Sequence, residues 1–579
     1  MKKTAAWLVR YALEQLGVTH TFGIPGVHNT EIYDELDNSE SIEPVLVTHE
    51  GYGAFMADAI SRSSDGIGTL VIVPAAGATH AASGIGEAFL DGIPMLIISG
   101  GVRTDSDFSY QLHELDQHKM LEPITKASFK ITSHDEVVST IFNAYNIATS
   151  GEPGPVFVEV PINFQLDKGE ISGLPVYQKV PVQLKRDISE QIQQAAQLLV
   201  KAKNPGLFIG WGAVAANALV TEIVELINAP VSTTLQGLSA FSAKHPLHTG
   251  MGFGIAAVPA ATNAFKKCDC LLAIGTRFAE IGTGSFGVNV PENLIHIDIN
   301  PQVFNANYAA KVAIEGDASL VLQELLSALK KLIQDQTSRF ENTDLAAQIK
   351  QDKQAYIDEW LGHDSKDRVN PALFFQHLRS AIDDDAFVLA DDGNHTFLTA
   401  ELMPCYQPKH FFSPTDFNCM GYAIPAVIGT KLVNPDKQVL GIIGDGAFLM
   451  SQTELFTASD KKIGAVFIIF NDGELAQISQ AQQTPYNKKT CTTLPNTRFK
   501  ALSEASGCYY IRLENNNEIT DKIAQALAQS AQNTPVVLDV NIDYSKRTRF
   551  TQGIIKTNLN RMALPTKVRM ISRALWRRI

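Results

Sequence analysis

Residues 439–455 read VLGIIGDGAFLMSQTEL. An apolar run at 439–443 stops at Gly444-Asp445-Gly446, and an amphipathic stretch follows. A second run, AVFIIF at 465–470, ends in Asn471-Asp472-Gly473-Glu474. Asp445 and Asp472 stand 27 residues apart, the length of one strand–helix–strand unit. Runs that are apolar throughout, not alternating, predict parallel strands covered by helices on both faces. In such sheets ligands bind outside the carboxyl ends of the strands. Both aspartates are therefore expected on one edge, in reach of one cation. Gly446 and Ala447 let main-chain N–H groups approach an anion, and the helix N-terminus favours phosphate. Mg²⁺ suits such a place, since it takes one or two carboxylates, other oxygens and substrate phosphate. A GDG by itself is usually only a strand-end turn; the second acidic element at this spacing is what gives it weight.

The same alternation extends through the chain. TLVIV at 69–73, PMLIIS at 94–99, VFVEV at 156–160, CLLAIG at 270–275 and IHIDI at 295–299 all read as buried strands between amphipathic stretches. At roughly 100–200 residues per domain, 579 residues predict three or four domains. Polar, irregular sequence at about 166–187 and a charged helical stretch at about 334–366 (QDQTSRFENTDLAAQIKQDK) divide it. The expected architecture is α/β, with three doubly wound parallel-sheet domains at 1–170, 185–335 and 366–545, and a basic tail at 546–579. Whether the first and third domains share one fold is not legible here.

Composition narrows the function. With 45% apolar and 19% charged residues, disorder is excluded, and no run approaches the ~18 apolar residues of a membrane span. The opening MKKTAAWLVRYALEQLG is broken by Arg10 and Glu14 at helical spacing, so it reads as the first helix of a cytoplasmic protein and not a signal peptide. Net charge is −13, yet residues 546–579 hold ten Lys/Arg and no acid. The rest carries 38 basic against 61 acidic side chains, the wrong sign for a nucleic-acid enzyme. Six scattered cysteines fit neither a disulfide framework nor a zinc site.

GDG with its second element resembles the diphosphate-binding signature of thiamine diphosphate (ThDP) enzymes. VLVTHEGYGAFMADAISR at 45–62 resembles the segment whose glutamate activates that cofactor, with Glu50 in its place. FGIPG at 22–26, PAAGATHAASGIGEAFLDGIPMLIISG at 74–100, EPGPVFVEVP at 152–161, ADDGNH at 390–395 and CMGYAIPAVIGTKL at 419–432 agree in order and spacing. The middle segment, with VSTTLQGLSAFSAKHPLHTGMGFG, LLAIGTRF and IHIDINP, is similar to the acetolactate synthase branch in particular. The resemblance covers about residues 3–545. It implies a pyrimidine-binding first domain, a Rossmann-like middle domain and a diphosphate-binding third domain. Asp445 and Asp472 would hold Mg²⁺ by their side chains and Glu474 by its main-chain carbonyl, with Asn471 the alternative should the loop be shifted. Pro25, Gly26, Gly393, Asn394, His395, Gly446 and Ala447 would line the cofactor, and Met420 would prop it into a bent shape. Many relatives carry Asn where Asp472 stands.

The departures bear on the substrate. His80 replaces the usual Asn of GATN. In FSYQLHELDQHKMLEPITK, His113 falls where relatives have Gln, with Gln111 the alternative. His28 lies in GIPGVHN, at a place where some carboligating relatives use a histidine. His28, His113 and Gln111 are thus candidates for proton transfer, alongside Glu50. The resemblance implies decarboxylation of a 2-oxo acid with transfer of the acyl carbanion to a carbonyl acceptor. A simple 2-oxo acid decarboxylase and an FAD-dependent, membrane-associated oxidase are the alternatives. FAD stays open because GLFIGWGAVAAN at 206–217 carries no decisive fingerprint. The family builds its site between subunits, which implies a homodimer or homotetramer. In the tail, Val568, Ile571, Leu575 and Ile579 fall on one helical face and Arg569, Arg573 and Arg577 on another. This fits either docking over the acidic body or weak contact with a membrane surface.

Overall fold

In the computed structural model, which describes residues 1–333 and 343–577, the apolar runs are buried strands in three six-stranded sheets. Every pairing within these sheets is parallel. The first sheet runs Glu43–Leu46, His20–Gly23, Gly68–Ile72, Met95–Gly101, Pro155–Pro161, Ala127–Lys130 across its width. The third runs Phe411–Phe412, Phe387–Ala390, Val439–Gly444, Val466–Asn471, Val536–Asn541, Tyr509–Leu513. Numbered in chain order within each domain, both read 2-1-3-4-6-5, so the first and third domains share one topology. The middle sheet, from Pro205–Ile209 to Val312–Glu315, reads 3-2-1-4-5-6.

Each sheet reverses strand order beside its first strand, and that reversal opens a crevice at the strands' carboxyl ends. In the third domain it lies between Phe387–Ala390 and Val439–Gly444. The loops leaving those strands carry Asp391 and Asp445.

The first and third domains are joined by one apolar core. Helix Glu50–Ser63 contributes Phe55, Met56 and Ile60, and helix Ala423–Val433 contributes Ile424, Val427 and Ile428. Gly429 permits the crossing, because a Cβ there would stand 2.4 Å from the Met56 carbonyl oxygen. Below the core, fully buried Arg62 is bound by Asp58 at 2.7 Å and Asp91 at 2.9 Å. The Tyr422 hydroxyl donates to Asp58 across the domain boundary at 2.6 Å. A buried cation needs such paired carboxylates, so this cluster ties the domains with little freedom.

Of the charged stretch at 334–366, Thr343–Leu361 is a helix; residues 334–342 lie outside the described residues, as does Ile579 of the tail's apolar stripe. The tail forms two helices, Arg549–Arg561 and Leu564–Trp576. The first docks on the body: Phe550 stacks on Phe397 at 4.3 Å, and Glu401 accepts the Phe550 N–H at 2.7 Å. The second lies against helix Ala476–Tyr486, with the Arg573 guanidinium 4.2 Å from the Tyr486 ring centre. Leu564, Val568, Ile571, Leu575 and Trp576 remain exposed. Among the described residues no helix is long and apolar enough to cross a membrane.

Candidate active site

The acidic half of the site is built on strand ends. Asp445 opens helix Asp445–Ser451, where a carboxylate is favoured by the free N–H groups of the first turn. Its Oδ1 accepts the Gly446 N–H at 2.8 Å, and its Oδ2 accepts those of Gly473 at 2.7 Å and Asp472 at 3.2 Å. One carboxylate thus fixes the neighbouring loop. Burial raises the Asp445 carboxyl to about 6. Burial, and next the charge of Asp445, raise Asp472 to about 7. Asp472 Oδ1 is buried and has no hydrogen-bond partner. Two carboxyls held this way, one with an orphaned oxygen, are the donor set a small divalent cation would satisfy.

Glu474 commits its carboxylate to Ser479 Oγ and Lys489 Nζ, each at 2.6 Å, so the role implied for it falls to its main-chain carbonyl. Asn471 turns its amide to Asp539 Oδ1 at 3.0 Å. Among the described residues no three His, Cys, Asp or Glu side chains cluster as a metal site.

Around it, Met420 Cε lies 3.6 Å from where a Cβ of Gly446 would stand. Gly446 and Ala447 begin the helix, and any side chain at 446 would meet Leu475 at 2.4 Å. Gly393, with φ +151°, and Gly444 both lie against the His395 ring. Burial lowers His395 to about 3, so the ring beneath these glycines is neutral and its Nε2 is unpaired. Asn394 is half-buried at the start of helix Asn394–Leu402.

The half that carries Glu50 belongs to the first domain. His49 caps helix Glu50–Ser63 by accepting the Gly51 N–H at 3.1 Å, which leaves Glu50 as its first residue. Glu50 is buried, and its Oε2 is 2.9 Å from His80 Nδ1. Gly77 lines the same carboxyl: a Cβ there would stand 3.2 Å from Glu50 Oε1. In the adjoining loop Pro25 is exposed, and the Gly26 N–H donates to Asn29 Oδ1 at 2.7 Å.

His28 and His113, 85 positions apart in sequence, come together with ring centres 5.1 Å apart. Burial, and next the charge of His113, lower the His28 pKa. Gln111 faces elsewhere, its amide donating to the Arg103 carbonyl at 3.0 Å. Within one chain no hydrogen bond or ion pair among the described residues joins Glu50 to the Asp445 loop.

Two positioning residues escaped the sequence reading. Buried Asp391 accepts N–H groups from Asp392, Gly421 and Ala423 at 2.7–2.9 Å, and so holds the segment bearing Met420. Its signal was present: an Asp directly after an apolar strand, as at Asp445. Glu454 accepts the Thr48 N–H and hydroxyl, both at 2.6 Å, steadying the strand end before Glu50. Nothing local marks it. A cavity of about 840 Å³ lies between the domains, lined by Gly210, Gly275 and Arg277 of the middle domain, Asp91 and Glu152 of the first and Asp416 of the third.

Three family models match the chain. Residues 3–120 match the thiamine pyrophosphate enzyme N-terminal TPP binding domain, 192–325 the central domain, and 391–540 the C-terminal TPP binding domain. The chain is 32% identical to a probable acetolactate synthase large subunit of Methanocaldococcus jannaschii, over 92% of this chain and 90% of that protein. It is 30% identical to the acetolactate synthase isozyme 3 large subunit of Escherichia coli K12, over 94% and 96%. It is 31% identical to the acetolactate synthase large subunit of Haemophilus influenzae, over 94% and 96%.

Proposed function

Because the chain belongs to the thiamine pyrophosphate enzymes, in the acetolactate synthase-like branch, we propose that it decarboxylates a 2-oxo acid and transfers the acyl unit to a carbonyl acceptor, using ThDP and Mg²⁺. The observation that carries the cofactor reading is the pair Asp445 and Asp472, with the orphaned Asp472 Oδ1 between strand ends. When bound, ThDP supplies a carbanion at C2 and an electron sink for the departing CO₂. Asp445 and Asp472 would hold the metal; Gly446, Ala447, Gly393 and Asn394 would take the diphosphate, over a neutral His395 that adds no charge. Met420 would fix the bend. Pro25 and Gly26 would lie beside the ring that Glu50 protonates and deprotonates.

His28 and His113 are proposed as the acid–base pair for donor and acceptor. Their proximity favours them over Gln111, whose amide is committed to a main-chain oxygen. Glu50 and Asp445 sit in different domains with no hydrogen bond or ion pair between them, which supports an oligomer in which Glu50 of one chain serves the Asp445 loop of another. A cytoplasmic place is supported by six free cysteines. The 840 Å³ cavity, lined partly by the middle domain, supports room for a dinucleotide such as FAD, and an absorbance scan near 450 nm tests it.

The decisive assay supplies a panel of 2-oxo acids with ThDP and Mg²⁺, with and without an aldehyde or second 2-oxo acid. CO₂ release with a hydroxy-ketone or hydroxy-acid product is expected. CO₂ with only an aldehyde product would make it a simple decarboxylase, and no cofactor-dependent CO₂ would end the proposal.

A further inference from the structure

Glu50 is enclosed. Its side chain is 5% exposed, while that of His80, which holds its Oε2 at 2.9 Å, is 50% exposed. The contact is built by close helix packing. Gly84 of helix Ala76–Asp91 lets that helix sit against helix Glu50–Ser63, since a Cβ on it would stand 2.4 Å from Ala54 Cβ. Gly51 does the same from the other side, its missing Cβ lying 2.9 Å from the His80 carbonyl oxygen. These two glycines press the His80 ring onto the carboxyl. On its far side the ring stacks on His49 at 4.6 Å, which limits its rotation.

Other groups near Glu50 are engaged. Tyr33, from helix Thr30–Asp37, donates its hydroxyl to the Val71 carbonyl at 2.9 Å. His49 Nδ1 is spent on the helix cap. Tyr52 gives its hydroxyl to the Met450 carbonyl, and Glu454 is bound to Thr48. Only His80 has one ring nitrogen on Glu50 and a side chain half in solvent.

We propose that His80 is the proton relay between solvent and Glu50. The inference rests on the function above, which requires Glu50 to gain and lose a proton against the cofactor's ring. His80 takes a proton at Nε2 from hydronium or a buffer acid and gives up its Nδ1 proton to Glu50 Oε2. The reverse passage runs the same two steps backward and restores the Nδ1–H tautomer, so one N–H bond forms as another breaks, one proton is transferred net, and no heavy-atom bond changes. A histidine can do this because its two nitrogens exchange donor and acceptor roles, with an ordinary pKa near neutrality. An asparagine amide keeps a hydrogen bond but does not pass a proton through. His80 acts through Glu50 and is a positioning and relay residue, not one that touches substrate.

Two measurements test it. In cofactor-free protein with ¹⁵N-labelled histidines, Glu50→Gln should shift the His80 Nδ1 resonance and leave those of surface histidines in place. An unmoved signal overturns the relay, whatever the cofactor does. In protein loaded with ThDP and Mg²⁺, deuterium exchange at ThDP C2 is followed in ²H₂O. His80→Asn and His80→Leu should bind ThDP within about twofold of the parent, yet exchange about tenfold more slowly. Imidazole added to His80→Asn should restore the rate in proportion to its concentration. Parental rates in both variants, or slow rates that imidazole leaves unchanged, overturn the proposal. ThDP binding by calorimetry separates the cases: a parent protein that binds no ThDP sinks the function itself.

Discussion

His28 and His113 face each other with ring centres 5.1 Å apart and planes tilted by 44°. His113 has φ +64°, a left-handed backbone that an ordinary side chain enters at a cost, and the loop keeps it there. The Nδ1 atoms of both rings are buried without a partner. Two adjacent imidazoles resist double protonation, and burial already lowers His28, so neutral His28 persists to lower pH than a solvated imidazole does. Replacing His113 with Ala removes the second cause and leaves the first. The His28 pKa should therefore rise toward its ordinary value without reaching it, and the acid limb of kcat/KM should move to higher pH. His28→Ala should cost about 10²–10⁴-fold in kcat, the range of a lost acid–base group. A histidine titration unchanged by His113→Ala would separate the two rings functionally.

Asp445→Ala removes a cation ligand and the acceptor of three main-chain N–H groups. ThDP retention should fall at least about 100-fold, beyond the loss seen when outer-shell metal partners are removed. Asp472→Asn keeps an oxygen and removes the buried carboxyl that burial, and next the charge of Asp445, raise to about 7. It should retain ThDP, and with chelator present its melting temperature should exceed the parent's. Calorimetric titration with ThDP and Mg²⁺, and melting curves in chelator, check both. An Ala variant that still copurifies with ThDP places the diphosphate elsewhere.

Ala75 has φ +56° and ψ −86° immediately before helix Ala76–Asp91, the helix that carries Gly77 and His80. A Cβ is strained there, by about 1–3 kcal/mol. Glycine relieves the strain but loosens the unfolded chain, so Ala75→Gly should stabilise the protein by about 1 kcal/mol. Denaturant unfolding of the cofactor-free protein checks the sign. A destabilised variant would mean the turn is held for packing and is not under strain.

The tail makes its contacts in two steps, Phe550 and Glu401 at the body and Arg573 beside Tyr486 at the end of helix Ala476–Tyr486. A chain ending at Tyr544 should lose most activity in lipid-free buffer, because helix Ala476–Tyr486 loses its cover. Full activity of that chain, with lost sedimentation on anionic liposomes, would assign the exposed Leu564, Val568, Ile571 and Leu575 to a membrane surface instead.

What the residues determined alone was local and periodic. Apolar runs of strand length bounded by Gly and Pro specify parallel sheets wherever they fall, and Gly444-Asp445-Gly446 specifies a strand end with an open helix start. Spacing carried Asp472 with it, because one strand–helix–strand unit has a narrow length. Glu50 and Met420 entered as expectations through the resemblance of their segments to the ThDP family, not through any period of the chain. Only the tertiary structure decided which distant groups meet. His28 and His113 pair because two loops, far apart in the chain, leave the same sheet edge. His80 lies on Glu50 because Gly51 and Gly84 remove the side chains that would hold two helices apart. Gln111 and His113 are two positions apart in one irregular loop, where no period says which side chain turns inward. The positive φ at His113 and the Gln111 bond to Arg103 decide it, and both are products of packing. Glu454 acts on the Thr48 main-chain N–H, a group every residue type but proline presents alike, so no side-chain pattern announces it, whereas Asp391 stands directly after an apolar strand as Asp445 does.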